Sequence, residues 1–222
     1  MPKVKVPRKA TNIDMTAMCD VAFLLLSFFI LATQFKPEEA LQVITPKSVS
    51  TKQLDMKDFV MVTMDKEGKV YFSVDDASVD EKQAIIDEVN TQKTLNLTNE
   101  EKHAFVRGGS FVGVPFSQLK SYLQLQPDQL KNFKQPGIPV TDTLNNELQV
   151  WMRAAVGAFQ GGKMNILVKG DNDAKFPSFK GVMEAFKKNE QFKFSMITDP
   201  EGIPANTELA RKAAKEGVKV TD

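Results

Sequence analysis

The 222-residue chain has few of the side chains that carry out chemistry: one cysteine, one histidine, one tryptophan and two tyrosines. With Cys19 alone, no intrachain disulfide can form, and redox compartment cannot be read from thiols. His103 has no second histidine and no nearby cysteine to share a metal, so it reads as a solvated residue on a charged helix. Neither charge sign dominates, because 29 Lys and Arg face 28 Asp and Glu. That balance leaves no electrostatic footprint for nucleic acid. Long apolar runs are also scarce. There is one, Met15 to Thr33.

That run, MTAMCDVAFLLLSFFILAT, is long enough to span as a helix: at ~1.5 Å per residue it covers ~28 Å, against a hydrocarbon core of ~30 Å. Asp20 sits inside it. A carboxylate near the centre of such a helix costs ~2.5 to 3.5 kcal/mol on insertion-derived scales, so its presence asks for a reason. At ~100° per residue, Thr16, Ser27 and Gln34 fall on the same face as Asp20, while Phe28, Phe29 and Ile30 point elsewhere. The result is one polar stripe. Lipid cannot satisfy it, so the stripe is expected to pack against other transmembrane helices or a hydrated path between them. Two plainer readings stand beside this one. Thr16 and Ser27 could equally bond carbonyls of their own helix, and a helix starting at Val21 would leave Asp20 at the interface.

Topology follows from the flanks. Lys3, Lys5, Arg8 and Lys9 precede the run, and Lys36, Glu38 and Glu39 follow it. The N-terminus is therefore expected in the cytoplasm and the remainder exported. No small-x-small cleavage pattern lies around Ala32-Thr33-Gln34, so an uncleaved anchor fits better than a signal peptide. The organisation expected is a cytoplasmic tail over 1–13, a transmembrane helix over 14–35, a linker over 36–57, an exported domain over 58–198 and a polar tail over 199–222.

Within that domain, Phe59–Met64 and Val70–Val74 flank the polar link Asp65-Lys66-Glu67-Gly68, a hairpin signal. Ser78-Val79-Asp80-Glu81 and Thr98-Asn99-Glu100-Glu101 both have capping-box form and predict helix starts. Further helices are predicted over 115–125, with Phe116, Leu119 and Leu123 on one face, and over 143–160, with Leu144, Leu148, Trp151, Ala155 and Phe159 on one face and Gly161 as a stop. A strand over 164–169, a helix over 178–189 and a strand over 192–197 make a βαβ unit, so those strands are expected to be parallel. The fold class is α+β: a single N-terminal transmembrane helix followed by a small mixed-sheet domain with a helical insertion.

Two motifs fail on inspection. Asp171-Asn172-Asp173 begins like a calcium loop, yet Phe176 replaces the glycine and Val182 the closing glutamate. Gly161-Gly162-Lys163 lacks the spacing of a phosphate loop. No catalytic triad, metal set or cofactor motif is found, so no enzyme and no cofactor is expected.

Ile13-Asp14-Met15-Thr16-Ala17-Met18-Cys19-Asp20-Val21 and the Leu/Phe run after it resemble the ExbD/TolR family of ion-driven, single-span transducer subunits. Two further blocks resemble its domain: Val62 to Tyr71, and Ile166 to Thr198 with Gly170-Asp171 and Phe179-Lys180-Gly181-Val182-Met183. The chain departs from the family pattern with Asp14 in place of asparagine, Ala17 in place of proline, and an insertion over about 75–160. The resemblance implies an inner-membrane protein with its C-terminal domain in the periplasm, Asp20 as the proton-coupling carboxyl, and a homodimer. It also implies an ExbB-like multi-span partner and a TonB-like protein that receives the energy of the proton motive force. A TolR-type role in envelope constriction is the alternative within the family. Outside it, the alternative is a membrane-anchored exported binding module.

Overall fold

The computed structural model describes residues 15–32, 41, 43–49, 56–108, 111–126, 129–130, 133–142, 145–159 and 164–201. The chain divides into two units, Met1–Glu39 and Ala40–Asp222. The first contains α1, Met15–Ala32, whose 18 residues give ~27 Å of helix. Among the described residues, no helix is long and apolar enough to cross a membrane. Asp14 and residues 33–35 of the expected span lie outside the described residues, as do the tail over 1–13 and residues 202–222.

In the second unit the hairpin forms as predicted. β2 (Phe59–Met64) runs antiparallel to β3 (Val70–Val74), with Val60 opposite Val74 and Met64 opposite Val70. The link closes on Asp65, whose Oδ1 accepts from Lys69 N–H at 2.7 Å and whose Oδ2 accepts from the Tyr71 hydroxyl at 3.2 Å. Gly68 takes φ +86° in this turn, a conformation that a side chain would strain. β4 (Asn165–Gly170) lies parallel to β2, and β5 (Ser195–Ile197) parallel to β4, giving one mixed sheet in the order β3-β2-β4-β5. The predicted parallel pair is thus present. β5 is shorter than expected because Phe192, Lys193 and Phe194 lie exposed outside the ladder.

Every residue of β3 is buried, so the hairpin is covered on both faces and loses the alternation of a half-exposed strand. The cover comes from α2 (Val79–Lys93), α3 (Asn99–Arg107), α4 (Phe116–Leu123) and α5 (Leu148–Ala158), and α6 (Phe176–Lys188) links β4 to β5. The first four lie within the stretch over about 75–160 that was expected as an insertion. They are tied to the sheet by Trp151 of α5, fully buried and stacked on Phe72 of β3 (5.3 Å), Phe105 of α3 (5.8 Å) and Phe116 of α4 (5.5 Å). α6 sits close on the segment before α5, where a Cβ at Gly181 would run into the Val140 carbonyl.

The insertion also seals one side of the sheet. Phe72 and Val112 exchange backbone hydrogen bonds of 2.7 and 2.8 Å, and Ile138 N–H donates to Val70 O at 2.8 Å. On the opposite side, no described strand pairs with the outer edge of β5 within the main sheet.

The two capping boxes part ways. Thr98 (φ −75°, ψ 163°) forms the full box, its hydroxyl accepting from Glu101 N–H while the Glu101 carboxylate accepts from Thr98 N–H. Ser78 does not. Its backbone (φ −84°, ψ 64°) departs from the extended conformation of Thr98, its hydroxyl makes no cap hydrogen bond, and Ser78 Oγ is buried without a partner among the described residues. Burial works against the Glu101 charge, but the Thr98 N–H and the Gln124 amide outweigh it and hold this carboxyl below the ordinary glutamate value. Its folded value therefore lies below the unfolded one, so the stabilisation is full above the usual carboxyl range and is lost as pH falls through the folded value. Thr98→Ala is expected to cost about 1 kcal/mol in denaturant melts at pH 7. Glu101→Gln should flatten the loss of stability between about pH 5 and pH 3.

The helix predicted over 143–160 is shorter, beginning at Leu148. Asn146 and Glu147 are turned to other work: Asn146 Nδ2 donates to Gly181 O at 2.7 Å, and Glu147 Oε2 accepts from Phe116 N–H at 2.8 Å. Leu148, Trp151, Ala155 and Phe159 are buried as the spacing predicts, while Leu144 and Gly161 lie outside the described residues.

One pairing was not foreseen. Lys47–Ser48 (β1), within the expected linker, runs parallel to Asp199–Pro200 (β6), at the start of the expected tail.

Candidate functional site

α1 carries the candidate site. The described large apolar side chains along it are exposed, Phe23, Phe28 and Ile30 each by more than 60 %. An apolar surface this continuous requires a cover in the working protein. Asp20 is exposed within it, next to exposed Cys19, and Thr16 lies one turn before Asp20 on the same face. Ser27 follows two turns later and is half-buried, its hydroxyl donating to Leu24 O at 2.9 Å. That bond is the self-contained alternative raised for Ser27: an intrahelical carbonyl satisfies the group, and it need not reach Asp20. Gln34 lies outside the described residues. Helical geometry thus places three of the four expected residues on one face of α1.

Ion pairs in the second unit include Lys66–Glu67, Lys82–Asp76 and Lys102–Asp87. Lys82 is buried, its ammonium 2.9 Å from an exposed Asp76 carboxylate. Burial works against the Asp87 charge, but the Gln83 amide and Lys102 together outweigh it and hold this carboxyl below its ordinary value. Burial pushes the Glu147 carboxyl up, against the opposing Phe116 N–H. Burial, with the Asp65 carboxylate beside it, likewise pushes the Tyr71 hydroxyl well above its ordinary value, so it stays a neutral donor.

Among the described residues, two concavities stand out. One is an apolar cavity of about 40 Å³ lined by residues including Phe105, Phe111, Tyr122 and Leu130. The other is an open cleft of about 260 Å³ between Thr141 and the first turns of α6, where Phe176, Lys180 and Glu184 meet. Neither brings a nucleophile to a base. Among the described residues no group of three or more His, Cys, Asp or Glu could hold a metal ion. His103 is exposed on α3, as the solvated reading has it. Asp171 of the calcium-like stretch spends its carboxylate on backbone: Oδ2 accepts from Ile44 N–H at 3.1 Å and Oδ1 from Asp173 N–H at 3.0 Å. Local pattern carries no sign of that role, since Ile44 and Asp171 are 127 positions apart.

The family model described as biopolymer transport protein ExbD/TolR matches residues 7–201. Among curated proteins and among solved structures, nothing matches.

Proposed function

The chain belongs to the biopolymer transport protein ExbD/TolR family, and on that premise we propose that it is an inner-membrane subunit of a proton-driven motor. In this reading α1 is the anchor, the N-terminus is cytoplasmic, and the unit from Ala40 onward works in the periplasm. The motor passes proton motive force to a TonB-like protein for active transport through outer-membrane receptors. The observation that carries it is a single carboxylate, Asp20, on a helix whose apolar surface is otherwise uncovered. A carboxyl desolvated by apolar neighbours is driven toward its neutral form, so helices packed around Asp20 would let it gain and release a proton.

An ExbB-like multi-span protein supplies those helices. Among the described residues α1 falls short of a full span, and this reading has the bilayer thin locally around it. Thr16 supports the carboxyl from the same face, and Ser27 and Gln34 continue the stripe. A second copy of the chain is the natural partner for the outer edge of β5, which no described strand covers within the main sheet.

The test is co-purification. Full-length protein extracted in mild detergent is expected to bring down a multi-span membrane protein in fixed ratio, and Asp20→Lys to reduce that ratio at least fivefold. Recovery of the wild-type chain alone, as a stable monomer, overturns the reading. Deleting the gene separates the two roles within the family: loss of receptor-dependent uptake marks the TonB-linked role, and detergent sensitivity with chaining cells the TolR-type role.

A further inference from the structure

We propose that the open cleft between Thr141 and the first turns of α6 is a docking site for an extended peptide of a partner protein, one that carries an acidic residue beside an apolar one. Only residues of the second unit take part, so the site does not depend on how α1 works. The cleft of about 260 Å³ is lined by Thr141, Phe176, Pro177, Lys180, Gly181 and Glu184. One wall, Thr141, comes from the stretch over about 75–160, and the other is the helix between β4 and β5. The cleft exists because that stretch lies against α6.

Its exposed side chains are unspent. Phe176 is 72 % exposed at the start of the helix. Lys180 and Thr141 are also exposed, and neither side chain makes a hydrogen bond or ion pair among the described residues. The acids nearby are already engaged: Glu184 is half-buried and has a partner, and so has Asp142, next to Thr141. α6 carries no acid in its first turn, which leaves the positive end of its dipole uncompensated there. Phe176, Lys180 and Lys187 recur at helical spacing on one exposed face, so positive charge continues along the helix away from the aromatic ring.

This chemistry selects the occupant. A carboxylate can pair with the Lys180 ammonium and accept from the Thr141 hydroxyl, while an apolar side chain covers the Phe176 ring and Pro177. A basic segment would meet both Lys180 and the helix dipole unfavourably. Size points the same way, because about 260 Å³ in an open cleft is less than the ~300–1,000 Å³ of typical small-molecule pockets and suits a few peptide side chains. The floor is firm. Asn146, itself buried, donates from Nδ2 to Gly181 O at 2.7 Å, and a Cβ at Gly181 would run into the Val140 carbonyl, so α6 and the segment before α5 are fixed against each other. A cleft formed in advance spares part of the ordering cost of association.

The probe is an array of hexapeptides in which aspartate, glutamine or lysine flanks leucine or phenylalanine, titrated against the full-length protein in mild detergent. The aspartate members are expected to bind about tenfold more tightly than their lysine counterparts. Phe176→Ala should weaken them about tenfold, as loss of an aromatic anchor does, and Lys180→Glu should reverse the preference toward the lysine members. Both side chains are exposed, so the two variants should melt with the wild type by circular dichroism. Equal binding of acidic and basic peptides, or unchanged binding in Lys180→Glu, overturns the proposal. Dextran sulfate distinguishes a peptide site from one that reads charge alone. At equal charge concentration it should compete about tenfold less well than the aspartate peptides, since it offers Phe176 nothing apolar. Competition as strong as theirs overturns the peptide assignment.

Discussion

Asp20→Asn is expected to abolish energy-dependent uptake through outer-membrane receptors while leaving the amount of protein in the inner membrane unchanged. Asparagine keeps the size and most of the hydrogen-bonding capacity of the carboxyl but cannot exchange a proton. The argument is one of work. A unit charge carried through the membrane field is worth ~2.3 kcal/mol per 100 mV, so a few protons passing one site supply enough to rotate or shift a helix. Without a titrating group the field has nothing to act on. Asp20→Glu retains the ionisable group one methylene further out, and should keep a measurable fraction of uptake. The quantity to measure is the rate of receptor-dependent ligand uptake, normalised to membrane-inserted protein. Wild-type uptake in the asparagine variant would falsify the assignment of Asp20.

Trp151→Ala should be the most damaging single change to the unit from Ala40 onward, costing about 4 kcal/mol. The side chain is fully buried and its ring lies against Phe72, Phe105 and Phe116, each from a different element. Its removal leaves a void where the insertion meets the sheet, and the three facing rings cannot all collapse into it. Against a typical stability of about 5 to 15 kcal/mol, that loss is a large fraction of the total. Trp151 Nε1 is buried with no partner among the described residues, so Trp151→Phe gives up no hydrogen bond and should cost less than half as much. As the chain's only tryptophan, Trp151 reports unfolding of the wild type by fluorescence, whereas the variants need circular dichroism in denaturant. An alanine variant as stable as the phenylalanine one would show that the stack does not join insertion to sheet.

Much of the domain could be read from local pattern. The Phe59–Met64 and Val70–Val74 hairpin is specified within sixteen residues by β-prone runs and a glycine-bearing link, and the structure reproduces both strands. The parallel β4–β5 pair follows from strand, helix and strand in order. Thr98 succeeds as a cap and Ser78 fails, although both carry the same motif, because capping depends on the backbone angles at that residue as well as on its side chain. The start of α5 was misplaced for a similar reason: Asn146 and Glu147 serve α6 and α4, contacts invisible to helical periodicity. The β1–β6 pair could not be read at all, since two-residue strands carry no periodicity and their partners are about 150 positions apart.

For the candidate site, sequence supplied the carboxylate and its face, because an acid in an apolar run stands out against its cost. It could not supply what covers that face. Ser27 shows the limit: its position suggested a role beside Asp20, and its hydroxyl is satisfied by the helix itself.

The closure of β3 by Val112 and Ile138 makes the sheet one-sided. A ribbon with two bare margins can recruit neighbours indefinitely and lengthen into a fibre; one with a single bare margin is finished once that margin is filled. In the proposed pairing through β5, the margin that Val112 and Ile138 shield would offer no place for a third copy, so the assembly would close at two.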